Sequence, residues 1–488
     1  MRDLQFWFTS LLIATFGALL ASPLNSYAET EKFSDARVAD ITQFLSQTKD
    51  SLGLPGYAAI LFENGESVAT LTEGIADASG REVTVDTPFQ LASVSKNFSA
   101  LIILQLAQEG ALELDDPVVK HLPDFQLRDG NPIEDITIQQ LIRHRSGLPT
   151  REGNLYQFTT DRGDDATEKA VQKLRRANLT APPGTLHQYS NANYAILAHL
   201  IETVEGTPFE EVMQTRILGP LGLETCYVQV PTNSDLQPAI GHRQWFGISI
   251  EREFIPGRMM MSAGGMVCGA KDLMRYMLAL AARDPRLLNE EGYETFLNSN
   301  PKDRPQIYSY ELGWTIVGSG EDRYLMHTGL NGGFQAIAAF YPESATGFVF
   351  MSNVSSFTHG ALQTRLRQVI MDETAVPDVV RHTSREILYA AVGLAAALII
   401  GFIWLFLRLF KTRPTRRKTW TGLLIKTALP ATLLAALAYA VFFLIPAFNG
   451  INLRSMFVFF PDIALCILLV GIFSVLSATA LLVNRIRA

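Results

Sequence analysis

The chain has 488 residues, 48% of them hydrophobic, and a formal net charge of −7; that length predicts one large core with an appendage, and that apolar content predicts membrane segments. The charge is unevenly divided, because residues 387–488 hold ten Lys/Arg against Asp462 alone, which leaves −16 on the remainder. An acidic body excludes nucleic-acid binding, which needs clustered positive charge to neutralise phosphates.

At the N-terminus, Phe6 to Leu20 form an apolar core followed by Pro23 and the small-residue pattern Ser26-Tyr27-Ala28. This predicts a secretory signal over residues 1–28, cleaved after Ala28. Asp3 cancels Arg2 in the leading segment, so an uncleaved anchor is the competing reading. No Cys stands at the cleavage point, which argues against a lipid anchor.

Residues 29–375 then read as one exported domain. YAAILF at 57–62, the turn signal Asn64-Gly65 and the returning SVATL predict a hairpin. In LASVSKNFSALIILQ, residues 91–105, Ser93 and Lys96 stand three apart at the head of an apolar run that ends at Gly110. On a helix both would share one face. A lysine against an apolar wall loses part of its preference for the charged form and could accept the serine proton. The pattern is not decisive alone, since Ser46-Gln47-Thr48-Lys49 repeats it within an amphipathic segment. Further helical patterns run over 134–143 and 192–205.

Between them, the turn-forming Pro182-Pro183-Gly184 leads to Tyr189-Ser190-Asn191 at the start of a helix. A phenol there could share a proton with Lys96, and Asn191 could donate to a carbonyl and accept from an amide. Cys226 and Cys268 are either two buried thiols or a disulfide in an oxidising compartment. His327-Thr328-Gly329, with Gly332 and Gly333, is a polar triplet entering a strand, where a substrate could lie close to the backbone. QAIAAFY and GFVFMS, on either side of Pro342 to Thr346, predict a second hairpin. Strands apolar on both faces imply a sheet covered by helices on each side. The domain therefore reads as an α/β (α+β) sandwich, an antiparallel sheet flanked by helices, beside an all-helical region with a cleft between.

A linker is expected at 376–386, followed by a membrane region over 387–488 with helices at 387–407, 427–448 and 463–483, each able to cross about 30 Å of hydrocarbon. The basic loop 411–420, with Arg413, Arg416, Arg417 and Lys418, is expected on the cytoplasmic side. Everything before Ile387 would then lie outside the cytoplasm, on the periplasmic or extracellular face of the membrane. The spans carry no internal charge relay, so they read as an anchor in the lipid bilayer rather than a transporter.

Taken together, the three polar motifs resemble the serine β-lactamase and penicillin-binding-protein superfamily, in its class C-like branch with Tyr-x-Asn. TPFQLASVSKNFSALIILQLAQEGALELDDPVVKHLPDF is similar to that branch, as are LIRHRSGLP, SAGGMVCGAKDLMRYM, ELGW and FVFMSN, so the likeness covers residues 35–372. It implies that Ser93 is acylated, that Lys96 and Tyr189 shuttle the proton, and that Asn191 orients the substrate. His327 and Thr328 would bind the carboxylate or leaving-group side, and the N–H groups of Ser93 and Leu330, flanking Gly329, would form an oxyanion hole. No metal or organic cofactor is implied. The resemblance does not decide between Lys96 and Tyr189 as the working base. His327 stands where efficient β-lactamases carry Lys, so a pH-dependent, weaker carboxylate anchor is expected. The expected activity is D,D-carboxypeptidase-like, on small-molecule or peptide substrates such as D-Ala-containing cell-wall peptides of peptidoglycan. Esterase or weak β-lactamase activity follows as the alternative. A non-catalytic sensor or scaffold binding wall fragments is the reading of another class.

Overall fold

A computed structural model describes residues 32–487 except 129, 157–158, 230–234, 254, 298–307, 319–322, 356–358, 372–382, 412–426, 445–452, 454–455 and 458–459. The expected signal sequence, most of the linker and nearly all of the basic loop lie outside the described residues. In chain order the strands begin with β1 (Gly56–Glu63), β2 (Glu66–Gly74), β3 (Phe89–Gln90), β4 (Tyr227–Val228), β5 (His242–Trp245), β6 (Ile248–Glu251) and β7 (Met266–Cys268). They continue with β8 (Tyr308–Glu311), β9 (Trp314–Val317), β10 (Tyr324–Leu330), β11 (Gln335–Tyr341), β12 (Thr346–Ser352) and β13 (Val354–Ser355).

Seven of these form one antiparallel sheet in the order β2-β1-β12-β11-β10-β9-β8. Both expected hairpins are present. Asn64 and Gly65 both take positive φ, 52° and 83°, as a two-residue turn between twisted strands requires. β1 is buried along its whole length because both faces are covered. Ala58, Ile60 and Phe62 enter the larger core with the Ser95–Gln108 helix. Tyr57, Ala59 and Leu61 pack on the other side beneath the Asp35–Leu52 and His359–Ile370 helices.

The helical region lies beyond the Ser95–Gln108 helix, whose residues 95–106 are all buried. The expected helix at 192–205 is observed as Asn191–Glu205. The expected helix at 134–143 is instead a short turn, Ile133–Asp135, and a separate helix, Ile138–Ile142. Thr137 caps the second piece reciprocally with Gln140, and Ile136 stays extended to accept from the Val118 N–H at 2.9 Å. Ser46 and Lys49, the decoy pair, lie on the Asp35–Leu52 helix, where Lys49 is ion-paired with Glu73 at 3.1 Å. Cys226, just before β4, is joined to Cys268 of β7 as a disulfide.

Past the domain, two helices among the described residues are long and apolar enough to cross a membrane, Tyr389–Arg408 and Pro461–Val483. The second expected span is represented by a shorter apolar helix, Leu429–Phe443, and 445–448 at its end lie outside the described residues. Three full spans are therefore not seen. Ile400, Trp404 and Leu407 on the first helix are exposed, unlike the side chains of a soluble core helix.

Asn353, directly after β12, ties the chain leaving β2 to the chain entering β5. Its buried Nδ2 donates to the carbonyls of Ile75 (3.1 Å), Ala76 (3.2 Å) and Ile240 (3.2 Å). Removing that donor strands buried carbonyls, so Asn353→Ala is expected to destabilise the domain by about 2–3 kcal/mol, read as a lower urea midpoint.

Candidate active site

Ser93 sits in the single 3-10 turn Ala92–Val94 that opens the Ser95–Gln108 helix. The turn is held from several sides. The Leu91 N–H donates to the Met266 carbonyl at 2.8 Å. The Ser95 hydroxyl donates to the Ala92 carbonyl at 2.6 Å and accepts from the Met266 N–H at 3.0 Å. Ala92 is held at φ +47°, a left-handed conformation that costs a non-glycine residue about 1 kcal/mol or more. Surrounding structure imposes this on the residue directly before Ser93.

Ser93 Oγ lies 3.2 Å from Lys96 Nζ and accepts from the Tyr189 hydroxyl at 2.9 Å. Lys96 is fully buried and donates to the Ala263 carbonyl at 2.6 Å. Its ammonium position stands 4.9 Å from the Tyr189 ring centre and 5.4 Å from that of Tyr194. Among the described residues no carboxylate pairs with it, and burial drives its pKa well below the ordinary lysine value. A neutral amine donating one N–H to Ala263 keeps a lone pair for the serine proton. The decoy Lys49 is the contrary case: burial pulls it down, but Glu73 holds it above the ordinary value.

Tyr189 is delivered by a strap, residues 188–190, fastened to the RHRSGLP stretch. The Gln188 N–H donates to the His144 carbonyl at 2.7 Å, and Thr150 Oγ1 donates to the Tyr189 carbonyl at 2.6 Å. Ser190 Oγ donates to the Pro149 carbonyl at 2.9 Å. His144 Nδ1 accepts from the Ser190 N–H (3.2 Å) and from Asn193 Nδ2 (2.9 Å), which makes it a neutral ring. Burial and then Lys96 push its pKa well down. The sequence reading found this stretch only as a likeness and gave it no task. Asn191 follows at the first position of its helix; its Nδ2 reaches Asn154 Oδ1 at 3.5 Å and its Oδ1 is left without a partner.

The opposite wall is the end of β10. β9 pairs only with Tyr324 to Met326, so the strand continues past it toward the serine turn. A Cβ on Gly329 would meet the Leu91 carbonyl oxygen at 2.0 Å and Ala92 Cβ at 3.2 Å. Only glycine lets Thr328, Gly329 and Leu330 lie this close to Ser93. Thr328 and Leu330 are half-buried on this strand, paired with Ile337 and Gln335 of β11.

His327 departs from expectation. Its Nδ1 donates to the Thr328 carbonyl at 2.8 Å, and its Nε2 accepts from the Tyr310 hydroxyl at 3.0 Å. A carbonyl can only accept, so Nδ1 carries a proton, and burial favours the neutral form of the ring. Burial is the main cause that lowers its pKa to about 3, and Lys96 would add to it whenever that amine is protonated. It is thus not a pH-dependent cation near neutrality, and its nitrogens are already occupied. Tyr310, on β8, was missed from the sequence. Its ring lies 4.8 Å from His144, 6.0 Å from Tyr189 and 5.6 Å from His327.

A Beta-lactamase family model matches residues 41–370, which contain every residue named above. The chain is 27% identical over 345 residues to an unguisins hydrolase of Aspergillus campestris, covering 67% of this chain and 64% of that protein. It is 28% identical over 226 residues to penicillin-binding protein 4 of Amycolatopsis lactamdurans, covering 46% and 58%. The match thus spans less than two thirds of either relative. Among solved structures, an octameric penicillin-binding protein homologue from Pyrococcus abyssi superposes with TM-score 0.57 at 25% identity, covering 65% of this chain and 73% of that one. A D-stereospecific amidohydrolase from Streptomyces sp. shares the fold with TM-score 0.57 at 23% identity, covering 69% and 99%.

Two measurements test the electrostatics. Because the folded-state pKa of Lys96 is depressed, the unfolded chain binds more protons between that value and 10.5, and the parent gains stability as pH rises through this window. Lys96→Met lacks that gain, so its melting temperature relative to the parent should fall steadily from pH 7 toward 10.5. A constant difference would mean that the amine is charged in the folded protein. The His327 ring proton resonances are expected to hold still from pH 8 to pH 5.

Proposed function

The chain belongs to the beta-lactamase family, and on that premise we propose that it is a membrane-tethered serine hydrolase working through an acyl-enzyme. The observation that carries this reading is the placement of one hydroxyl, Ser93 Oγ, between Lys96 Nζ at 3.2 Å and the Tyr189 hydroxyl at 2.9 Å, with the lysine enclosed. Ser93 is the nucleophile in this proposal. Lys96, neutral, takes the Ser93 proton as Oγ bonds to the substrate carbonyl carbon. Tyr189 then passes its proton to the departing amine or alcohol and takes back the one held by Lys96, and water releases the acid and restores Ser93.

Asn191 is assigned to the substrate's amide, with its unpartnered Oδ1 as acceptor. The N–H groups of Ser93 and Leu330 are assigned to the developing oxyanion, where each donor is worth about 3 kcal/mol. Gly329 supports this by allowing the strand's close approach to Leu91. Thr328 offers a hydroxyl to the far side of the substrate.

D-Ala-containing peptides of the cell wall are the leading substrate class. The neutral His327 favours a second reading, in which the preferred substrates are uncharged esters or amides, because no cation at that position pairs with a terminal carboxylate. Comparing a D-Ala-D-Ala peptide with its C-terminal methyl ester separates the two. A carboxypeptidase would prefer the free acid by tenfold or more in kcat/KM, and an esterase would reverse the ratio.

Tethering is supported by the helices Tyr389–Arg408 and Pro461–Val483, the first of which exposes large apolar side chains along its length. Both begin on the side of the chain that joins or touches the domain, which agrees with a cytoplasmic basic loop between them.

A fluorescent penicillin should label the full chain, and Ser93→Ala should abolish both labelling and ester hydrolysis, a loss of at least about 1,000-fold. Folded protein that neither labels nor hydrolyses would leave the scaffold reading standing instead.

A further inference from the structure

One apolar surface outside the catalytic cleft has a position that says what covers it. β5 and β6 form a hairpin with its tip at Phe246-Gly247, and β6 is an edge strand. One face of this hairpin packs on the body: Gln244 Nε2 donates to the Leu52 carbonyl, and Ser249 Oγ donates to the Gly53 carbonyl at 2.6 Å. Side chains alternate along a strand, so Ile248 and Ile250, on either side of Ser249, lie on the opposite face, whose inner end is held to the body by Arg243 opposite Ile250 and whose outer end is exposed. Trp245 stands opposite Ile248 in the register and shares that outer face. Phe246, Ile248 and Ile250 are 46%, 68% and 50% exposed, a concentration of large apolar side chains that water does not favour.

The tip touches the start of the last apolar helix. The Phe246 N–H donates to Asp462 Oδ2 at 3.1 Å, and Asp462 is the second residue of the Pro461–Arg487 helix. Directly after it, Ile463, Ala464 and Cys466 pack with Met456 and with Ala391 of the first apolar helix. The apolar face of the hairpin therefore begins at the level where these helices become hydrocarbon-like. An aromatic pair, Trp245 and Phe246 with ring centres 6.5 Å apart, occupies that level, as interfacial anchors do.

We propose that the β5–β6 hairpin docks into the outer leaflet of the bilayer, seating Trp245, Phe246, Ile248 and Ile250 at the boundary between phospholipid headgroups and acyl chains. This rests on the membrane reading of the two long apolar helices. The hairpin is rooted beside the cleft. Arg243 Nε donates to the Gly332 carbonyl at 3.0 Å, and the His242 N–H lies 3.3 Å from the Gly333 carbonyl. These glycines follow Leu330 by two and three residues, so lipid contact fixes the β10–β11 turn relative to the membrane surface. The cleft would then be held facing the membrane-proximal space at a set height, with substrates taken from there.

The test uses the full chain with Cys466→Ser, reconstituted in phosphatidylcholine vesicles, with one cysteine placed at a time and labelled with an environment-sensitive dye. Ile248→Cys reports the hairpin, Ile400→Cys the middle of the first apolar helix, and Glu291→Cys the exposed far surface. Lipids brominated near the headgroup should quench the dye at 248 at least twofold more than at 291, while lipids brominated deep in the chain quench the dye at 400. Quenching at 400 without quenching at 248 would overturn the docking and leave the spans intact. Quenching at neither would overturn the membrane reading and the docking with it. A blue-shifted, unquenched dye at 248 that reddens on dilution would identify a second copy of the chain as the occupant, and would also overturn the proposal.

Discussion

Lys96 is enclosed with no counter-ion among the described residues, and enclosure favours its neutral form over its charged one. The surrounding architecture serves that condition. The sheet closes one side of the Ser95–Gln108 helix, the Asn191–Glu205 helix and the Met261–Gly264 turn close the other, and Tyr189 and Tyr194 present rings rather than charges. His144 and His327, the nearest other titratable groups, are buried, which favours the neutral ring in each. A single carboxylate in this shell would stabilise the ammonium and remove the lone pair that the proposed proton transfer needs. The enclosure opposes folding, and the broad apolar contact around it offsets that cost.

The remaining geometry follows from how closely backbones approach. The left-handed Ala92 and the side-chain clamp of Ser95 aim Ser93 at the cleft, and the missing Cβ of Gly329 lets the end of β10 reach the same turn. Tyr189 depends on a different support, the strap fastened to His144, Pro149 and Thr150. Two segments distant in sequence thus meet at one oxygen while a third, the end of β10, lies against the same turn, and each is located by contacts that are not themselves chemical participants.

Much of this was legible in the sequence, and what was not has physical reasons. The Asn-Gly turn, the doubly buried strands and the long helices announce themselves because turn chemistry and apolar period are local properties. Ser93, Lys96, Tyr189, Asn191 and His327 could be named because their motifs recur in a known family. Tyr310, Ser95 and the function of the His144 stretch could not, since each acts through a partner far along the chain. The ring partners of His327 were hidden for the same reason: a phenol from β8 and a carbonyl from its own neighbour supply them, and neither is visible in the triplet. The helix at 134–143 failed because apolar period alone did not register the cap at Thr137. The disulfide was left open because spacing does not show that Cys226, just before β4, comes beside Cys268 when β4 pairs with β7.

The central strands of the sheet pair the beginning of the domain with its end, Tyr57 against Ser352. Such a closure cannot happen until almost the whole domain has emerged, and pairing across so long a stretch is intrinsically slow. A chain passing through a translocation channel would therefore stay unfolded, and so threadable, until its final strand appears. The first apolar helix begins only some thirty residues later, so on the proposed membrane reading arrest in the bilayer and completion of the fold would coincide, and the half-made protein would never be released to diffuse away with its interior open.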